Sequence, residues 1–321
     1  MPHRHSPRRG SLAYVPRKRA ARIYPAIRQW AHSNEAKPLG FAGFKAGMTH
    51  IQYIDGNNKS PRYNRVVSKA VTVIDSPSLF VCAVRFYRKT PQGFSSVGES
   101  WAKTVPKGLD LKRKTMQGKK DYTDMKDVAD VRLVVATQPE HSGLAKKKPD
   151  VFEIAIGGKL EDRIKYAQEM LGKALDAKDV FKPGEFVDVS AVTKGSGYTG
   201  AVKRYGIRIQ TRKDKQMHRH VGSIGSTVPR HIDWRVPMAG QYGYLTRTEF
   251  GKRIIEMSDD AKKVTPKGGF VGYGNVKSYL LVEGSVPGPS KRLIRLRKSV
   301  RSAKVAPVDV RYVSTESKQG R

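Results

Sequence analysis

The fold of this chain is decided by GFAGFKAGMTHIQYI at residues 40–54, VVSKAVTVID at 66–75 and SLFVCAVRFYRK at 78–89. All three runs are rich in β-branched and aromatic residues, and the turn sequences DGNN and DSPS separate them. Such composition with turn residues between the runs predicts antiparallel strands. We interpret residues 39–92 as the first part of a β-barrel.

Two later parts of the chain carry the remaining strands of the predicted barrel. PGEFVDVSAVT at 183–193 predicts a strand with Val187, Val189 and Ala191 on one face. KSYLLVEGSVPG and RLIRLRK predict the closing strands. The predicted fold class is therefore mainly β with an α/β insertion: a six- or seven-stranded antiparallel barrel, a long basic N-terminal tail and a long central loop extension. The barrel parts are 39–92, 184–195 and 275–300.

Residues 93–183 interrupt the barrel and have a different composition. Between Asp121 and Asp188 there are fourteen acidic residues, half of the total in the chain, against eleven lysine or arginine residues. VRLVVAT and VFEIAIGG predict strands. Apolar residues at spacings of three and four predict one amphipathic helix that contains Leu160, Ile164, Ala167, Leu171 and Leu175. We interpret this segment as an inserted α/β subdomain that faces solvent or protein rather than RNA.

Two smaller features complete the body of the chain. Cys82 is the single cysteine and lies in the apolar run LFVCAVRF, so we interpret it as a buried small hydrophobic residue and not as a reactive thiol. Residues 301–321 form a C-terminal segment, and its last part, VDVRYVSTESKQGR, is predicted to fray.

The central segment from residue 194 to 249 has neither helical nor strand periodicity. Between Lys203 and Arg235 it contains nine lysine or arginine residues against two aspartates, with glycines and aromatic residues interspersed. Ordering roughly fifty residues would cost about 1 to 2 kcal/mol each for the backbone alone, and its apolar residues are too few to offset that. We therefore interpret residues 196–274 as a projecting arm that is mobile until a polyanion binds and orders it.

Residues 1–38 form a second basic extension. Nine lysine or arginine residues stand against Glu35, the single acid of the segment, and five prolines exclude a long helix. We interpret this segment as an extended tail. Tyr14, Tyr24 and Trp30 are available for stacking on a partner or for docking onto the body.

Charge dominates the composition. The formal net charge is +34 and the sequence pI is about 10.3, which is typical of a chain that binds a polyanion. A membrane partner is disfavoured because no apolar run of about 18 residues and no basic amphipathic helix is visible. The N-terminus has no apolar signal region, and one cysteine excludes a disulfide framework, so the expected compartment is the cytosol.

Two patterns imitate sites of other protein classes. GSGYTG at 195–200 has the spacing of a dinucleotide fingerprint, but no helix is predicted after its third glycine, so we do not interpret it as a nucleotide site. His218, His220 and His231 cluster without a nearby cysteine, which disfavours zinc. Phosphate or base contact by these imidazoles and a simple solvated loop both stay open.

No combination of residues indicates a nucleophile or a pair of catalytic carboxylates, so no enzyme activity is predicted and no cofactor or metal is expected. An RNA-modifying enzyme and a DNA-architectural protein are the alternatives that remain. The first would need a cofactor pocket, and the second would bind duplex DNA as well as structured RNA.

Several motifs closely resemble the universal ribosomal protein L-three family. These are KGSGYTGAVKRYG, HRHVGSIGS, PMAGQYGY and VEGSVPGP, and GFAGFKAGMTHI resembles the opening strand of that family's translation-protein-like barrel. The basic tail and HIDW resemble its archaeal and eukaryotic branch. The matches run in the expected order over nearly the whole chain.

The resemblance implies a structural protein of the large ribosomal subunit, located in the cytoplasm. It implies binding to large-subunit rRNA and neighbouring ribosomal proteins, a role early in assembly, and an arm that reaches toward the peptidyl transferase centre. It implies no small-molecule substrate and no membrane contact. The matching arm residues are 194–200, 218–223 and 238–243, with Trp234 at the tip near the A-site entrance. From the residues alone, this ring either packs into its own domain or stacks on RNA bases.

The candidate rRNA-binding residues share a position in the tail or arm and a cationic, glycine or aromatic character. They are Arg8, Arg9, Arg17, Lys18, Arg19, Lys194, Gly195, Gly197, Lys203, Arg204, Arg208, Arg212, Lys213, Lys215, His218, Arg219, His220, Arg230, His231, Trp234 and Arg235.

Overall fold

The computed structural model describes residues 7–105, 109, 127–214, 216–301, 305 and 308–317. Its strands are β1 (Gly40–Ile54), β2 (Val66–Asp75), β3 (Leu79–Thr90), β4 (Gly93–Trp101), β5 (Asp130–Thr137), β6 (Val151–Ala155), β7 (Ala174–Leu175), β8 (Phe186–Val192), β9 (Gly195–Thr199), β10 (Gly240–Gly243), β11 (Thr246–Ser258), β12 (Tyr279–Glu283), β13 (Leu293–Lys298) and β14 (Asp309–Val313). Its helices are α1 (Leu160–Met170), α2 (Ala177–Val180) and α3 (Ala201–Tyr205). The chain is mainly β, as predicted.

The described residues group into two compact units, which we call the tail–arm unit and the body. The tail–arm unit takes its residues from 7–23 and 192–247, and the body takes its residues from 24–191 and 248–317. The segment predicted as one N-terminal tail is therefore divided after residue 23.

A seven-stranded antiparallel sheet forms one half of the body. Its strand order is β13, β8, β11, β12, β2, β1 and β14, and β13 also pairs with β1. The pairings therefore run in a closed circuit through six strands, with β14 added outside the circuit on β1. β11 belongs to this sheet, although all of its residues were predicted to lie in the arm, 196–274. Ile254 and Ile255 of this strand are buried in the core.

A second, five-stranded sheet forms the other half. Its order is β4, β3, β5 and β6, with β7 paired to β3. The sequence assigned β3 to the barrel, but β3 pairs with β5 from Leu79 to Tyr87. Alternation of apolar residues predicts that a strand is half buried and does not predict which sheet it joins. An ion-pair cluster of Arg85, Glu99 and Glu153 lies across this sheet.

α1 is the amphipathic helix predicted in the insertion. Ile164 and Ala167 are its buried residues. The helix ends at Met170, before Leu171 and the left-handed Gly172 at φ +80°. Leu175, predicted on the same helix face, instead lies in β7 and is fully buried there.

Residues 24–38 are attached to the body by buried arginines of β13. Arg295 donates to the Pro25 carbonyl oxygen at 2.9 Å, and Arg297 donates to the Gln29 carbonyl oxygen at 2.5 Å. Arg297 also pairs with Asp188, which is fully buried. Burial lowers the pKa of Arg295 to about 10. Trp30 packs over Gly40, where a Cβ would come within 2.8 Å of its ring.

The C-terminal segment is more ordered than the sequence predicted. β14 pairs with β1, with Val313 opposite Ile51. Beyond it, the Ser314 N–H donates to the His50 carbonyl oxygen at 3.0 Å. The expectation of fraying is wrong for these residues because the alternating sequence VDVRYV can add to the free edge of β1. Cys82 is buried in β3, and burial raises the pKa of its thiol to about 12.

Candidate nucleic-acid interface

The base of the arm is a two-stranded antiparallel ribbon of β9 and β10. A bulge in the ribbon brings Gly243 opposite Gly195. Gly243 has φ +73°, and a Cβ there would lie 2.1 Å from the Lys194 carbonyl oxygen, so the ribbon requires glycine at this position. Beyond the ribbon and α3, residues 206–214 and 216–239 contain no helix or strand.

α3 follows directly after Gly200, where the sequence predicted no helix. Gly200 is its N-cap, and Gly206 ends it in the left-handed conformation at φ +69°. Five residues make less than two turns, which is too short to show an amphipathic period. The prediction that no helix follows Gly200 is therefore wrong, and it no longer argues against a dinucleotide site. The conclusion now depends on topology, because among the described residues β9 pairs with antiparallel β10 alone and the fingerprint requires a parallel βαβ unit.

Arg204, predicted to bind RNA, joins the two ends of the arm. Its Nε donates to the Gln241 carbonyl oxygen at 3.1 Å, and a terminal nitrogen donates to the Met238 carbonyl oxygen at 2.8 Å. These bonds link α3 to the approach of β10. Arg204 is half-buried and has a structural role in the tail–arm unit.

The tail packs against α3 through Tyr205. The Arg17 guanidinium lies 4.5 Å from the centroid of the Tyr205 ring and donates to its hydroxyl oxygen at 3.2 Å. Arg204 approaches the same ring at 5.2 Å. A Cβ on Gly10 would lie 2.2 Å from Tyr205, so the tail backbone passes directly against this ring.

Further contacts attach the tail to the return strand of the arm. Arg8 donates to the Arg235 carbonyl oxygen at 2.7 Å. Arg19 donates to the Gln241 side chain at 3.3 Å. Three of the five predicted tail cations therefore donate hydrogen bonds within the tail–arm unit: Arg8, Arg17 and Arg19.

The remaining predicted cations and histidines are exposed, and none forms an ion pair with a described residue. They are Arg9, Lys18, Lys194, Lys203, Arg208, Arg212, Lys213, His218, Arg219, His220, Arg230 and His231. Gly195 and Gly197 are exposed in β9. Lys215 lies outside the described residues.

Trp234 lies at a turn in the arm. Its side chain is 65% exposed. The Arg235 guanidinium lies 5.5 Å from its ring, and the Arg235 N–H donates to the Asp233 carboxylate at 2.9 Å. One of the two interpretations from the sequence was a tryptophan that packs into its own domain. Such a side chain would be largely buried, which does not agree with this exposure.

The arm also encloses an apolar groove of about 990 Å³. Ile209, Met217, Val221 and Ile224 contribute apolar atoms to its lining. The segment His218–His220 lies on the same lining and adds two imidazoles and a guanidinium. Planar cationic groups beside an apolar surface can stack on nucleobases.

The model of the family "Ribosomal protein L3" matches residues 1–320. The chain belongs to this ribosomal protein family. It is 48% identical to the large ribosomal subunit protein uL3 of Methanopyrus kandleri, over 98% of this chain and 91% of the relative. It is 46% identical to the protein of that name in Methanothermobacter thermautotrophicus, over the full length of both. In Archaeoglobus fulgidus the identity is 45%, over 99% of each chain.

As a member of the ribosomal protein L3 family, the chain is a structural component of the ribosome in the cytoplasm and not an enzyme. The relatives named above are archaeal, which agrees with the branch that the basic tail and HIDW indicated. Within the described ranges, no group of three or more His, Cys, Asp or Glu side chains could hold a metal ion. No helix in that part of the chain is long and apolar enough to cross a membrane.

Tyr205 and Tyr198 belong to this L3-family interface but were not predicted as site residues. Tyr205 lies in the motif KGSGYTGAVKRYG, and it is the ring on which the tail packs. Tyr14, predicted to be available for stacking on a partner or for docking onto the body, stacks with Arg247 of the tail–arm unit, whose guanidinium lies 4.5 Å from the ring centroid. Tyr198 is 80% exposed on β9. Each aromatic residue stands among glycines or arginines, which was the available signal.

Proposed function

We propose that this ribosomal protein is a structural constituent of the large ribosomal subunit that binds large-subunit rRNA through its tail–arm unit. The observation that carries the proposal is the set of exposed cations without ion-pair partners on the described residues of the tail and arm. The relatives are named large-subunit proteins, which supports the same subunit for this chain.

In this proposal the tail and arm neutralise phosphates that would otherwise keep RNA helices apart. Arginine side chains such as Arg208 and Arg212 would form paired hydrogen bonds to phosphate oxygens. Backbone N–H groups near Gly195 and Gly197 can approach closely because no side chain intervenes. Phosphate contacts fix position, while Trp234 and the arm groove supply surfaces for bases.

The body would act as the anchor. We propose that the six-strand circuit is the predicted barrel and that it lies on the surface of the subunit. The acidic insertion would face solvent or neighbouring ribosomal proteins, as its composition suggests. Binding of the tail and arm would support early assembly.

The primary test is a salt series in which the purified protein chooses between large-subunit RNA and duplex DNA. The variant Arg208→Gln/Arg212→Gln/Arg219→Gln removes three arm cations. Its matched control, Lys147→Gln/Lys148→Gln/Lys262→Gln, removes three exposed cations of the body. We expect structured RNA to win at high salt, and the arm variant to flatten the salt slope by about 0.7 to 0.9 per lost phosphate contact.

Deletion of residues 204–238 should weaken RNA binding more than either triple variant. Equal competition by duplex DNA together with an unaltered salt slope in the deletion would reject the arm as the RNA-binding element and favour a DNA-architectural protein. If the body variant flattens the slope as much as the arm variant, the interface is spread over the whole surface.

We further propose that the arm extends toward the peptidyl transferase centre and that Trp234 lies near the A-site entrance. Trp234→Ala should slow aminoacyl-tRNA accommodation without blocking subunit assembly, whereas deletion of 204–238 should impair assembly. Unchanged A-site binding kinetics for Trp234→Ala would contradict the first statement. Normal subunit profiles on a gradient would contradict the second.

A further inference from the structure

We propose that a groove in the body binds an extended segment of another protein in which apolar and acidic residues alternate. The groove has a volume of about 800 Å³ and lies between the middle of β1, the middle of β2 and the loop 266–271. Its lining comes from Ala46–His50, Ala70, Pro266, Gly269–Val271 and Ser290. All of these residues belong to the body, so the proposal does not depend on the tail–arm unit or its RNA.

The floor of the groove is the Phe270 ring, which packs so closely on β1 that residue 47 must be glycine. Phe270 is 7% exposed and packs against Gly47, where a Cβ would lie 2.6 Å from its ring. The pairing of β1 with β2 shifts register between Lys45 and Gly47. This bulge turns the local surface of β1 and leaves room for the ring.

The loop above the floor is held rigidly. The Phe270 N–H donates to the Gly274 carbonyl oxygen and the Gly274 N–H donates to the Phe270 carbonyl oxygen, both at 2.9 Å. Gly272 has φ +72° and Gly274 has φ +101°, which favour glycine. The Tyr273 hydroxyl donates to the buried Asp75 carboxylate at 2.5 Å.

This rigid loop holds an apolar side chain out of the core. Val271 is 59% exposed, between the buried Phe270 and the anchored Tyr273. Met48 on the same groove is 38% exposed. A partner that covers this valine and methionine would bury their apolar surface, which stabilises the complex by about 25 cal/mol per Å².

The charged residues that flank the groove lining in the sequence are all lysines. Lys45, Lys69, Lys267 and Lys291 are the charged residues next in sequence to the lining. Lys45 donates to backbone carbonyl oxygens and Lys69 pairs with Glu283. Lys267 and Lys291 are exposed and pair with no acid in the described part of the chain. An occupant with carboxylates beside its apolar residues would complement both features.

A protein segment fits the lining better than RNA does. The lining has no arginine, tryptophan or tyrosine, and its phenylalanine ring is buried. Its one imidazole, His50, is half-buried and lies 6.4 Å from the Tyr312 ring, so the groove offers bases less stacking surface than the arm does. The five lining residues of β1 extend over about 13 Å, the length of roughly four residues of an extended chain. Apolar side chains of such a segment could contact Met48 and Val271 while its acidic residues face the lysines.

The first test places a photo-crosslinking amino acid at position 271 and isolates ribosomes that carry this chain. A second probe at Val66, which is 62% exposed at the start of β2 and outside the groove lining, is the matched control. A third probe at Trp234 reports separately on the proposed RNA contact of the arm. We expect position 271 to crosslink to a protein peptide with alternating apolar and acidic residues, and position 66 not to crosslink to that peptide.

Crosslinking of position 271 to RNA, to a peptide without acids, or to nothing would overturn the proposal. Crosslinking at 271 but not at 234 would leave the groove intact and count against the proposed function of the arm. The converse result would reject the groove and leave the arm.

The second test does not need assembly. Fluorescence anisotropy of the purified full chain would compare labelled octapeptides of alternating leucine and glutamate, serine and glutamate, and leucine and lysine. We expect the leucine–glutamate peptide to bind best and Val271→Asp to weaken it at least tenfold, with Val66→Asp within twofold of the parent chain. Lys267→Glu/Lys291→Glu should reverse the preference toward the leucine–lysine peptide. Equal binding of the serine–glutamate peptide, or no effect of Val271→Asp, would show bulk charge attraction only and reject the groove.

Discussion

The body and the tail–arm unit are stabilised by different kinds of contact. In the body, one apolar cluster connects residues of both sheets and of α1, including Phe44, Leu133 and Ile164. In the described residues of the tail–arm unit, the buried apolar side chains are Val192, Ala201 and Leu245. The tertiary contacts of this unit are mainly arginine side chains that donate to carbonyl oxygens and stack on tyrosine rings.

This difference separates two sources of order. Burial of apolar side chains stabilises the body by about 1.5 to 3 kcal/mol for each fully buried Val, Leu, Ile or Phe. The contacts of the tail–arm unit lie near the surface and contribute about 0.5 to 1 kcal/mol each. We therefore expect the body to fold by itself and the tail–arm unit to need a partner that stabilises its conformation. The following substitutions challenge that comparison.

The largest effect is expected from Phe44→Ala in the body. The side chain is 1% exposed, so its removal leaves a cavity and should lower the free energy of unfolding by about 3 to 5 kcal/mol. Urea denaturation followed by circular dichroism measures this change. Ile209→Ala, at a 46% exposed position of the arm, is the control and should change stability by less than about 0.5 kcal/mol. Similar losses for both would mean that the arm shares a core with the body.

Asp75→Asn should change how the stability of the body depends on pH. Burial raises the pKa of Asp75, although the hydrogen bond from Tyr273 opposes this. A raised folded-state pKa means that the stabilising contribution is complete below the usual value of 3.8 and is lost as pH rises through the folded value. Asparagine cannot ionise and still accepts the Tyr273 hydrogen bond. In unfolding experiments from pH 3.5 to 8, the free energy of unfolding of the variant should increase relative to that of the parent chain as pH rises. Parallel pH profiles of the two free energies would contradict the argument.

Tyr205→Ala should loosen the tail without unfolding the body. Loss of the Arg17 stacking and of its hydrogen bond removes about 1 kcal/mol at a half-buried site. Limited trypsin digestion should then cut faster after Arg17, Lys18 or Arg19, while Tyr205→Phe keeps the ring and most of the protection. Gly10→Ala should have the same effect as Tyr205→Ala through a clash. Equal cleavage in all three variants and the parent chain would show that the ring does not hold the tail.

The smallest effect on stability is expected from Trp234→Ala. Because the side chain is 65% exposed, its truncation should change the free energy of unfolding by less than about 0.5 kcal/mol. Any loss of RNA affinity in this variant would then come from the interface and not from the fold. A stability loss above 2 kcal/mol would mean that the ring packs into the protein.

The sequence predicted most strands of the body because apolar alternation and turn residues are local signals. It also located α1 through Ile164 and Ala167. It did not assign β3 to the second sheet, since pairing with β5 depends on residues fifty positions away. The helical spacing continued to Leu175, but Gly172 stops α1 and sends Leu175 into β7.

For the candidate interface, the number and position of the charged residues identified the cations. They did not show which of these cations bond within the chain and which are exposed. Arg204 and Arg17 have the same sequence signature as Arg208 and Arg212, yet they hold carbonyl oxygens and the Tyr205 ring. Local composition cannot separate an arginine that bonds to its own chain from one that is free for a phosphate, because both lie in glycine-rich basic sequence. The split of the tail after residue 23 was hidden for the same reason: both parts are proline-containing and basic.

The ribbon of β9 and β10 sets how this protein can tolerate changes in chain length. It fixes the two ends of the segment 200–239 side by side, so insertions or deletions inside that segment leave the sheet pairings of the body untouched. For a flexible loop, doubling the number of residues between fixed ends costs only about 0.6 kcal/mol in closure entropy. The ribbon can therefore accept arms of different reach, whereas Gly243 accepts no larger residue, because a Cβ there would lie 2.1 Å from the Lys194 carbonyl oxygen.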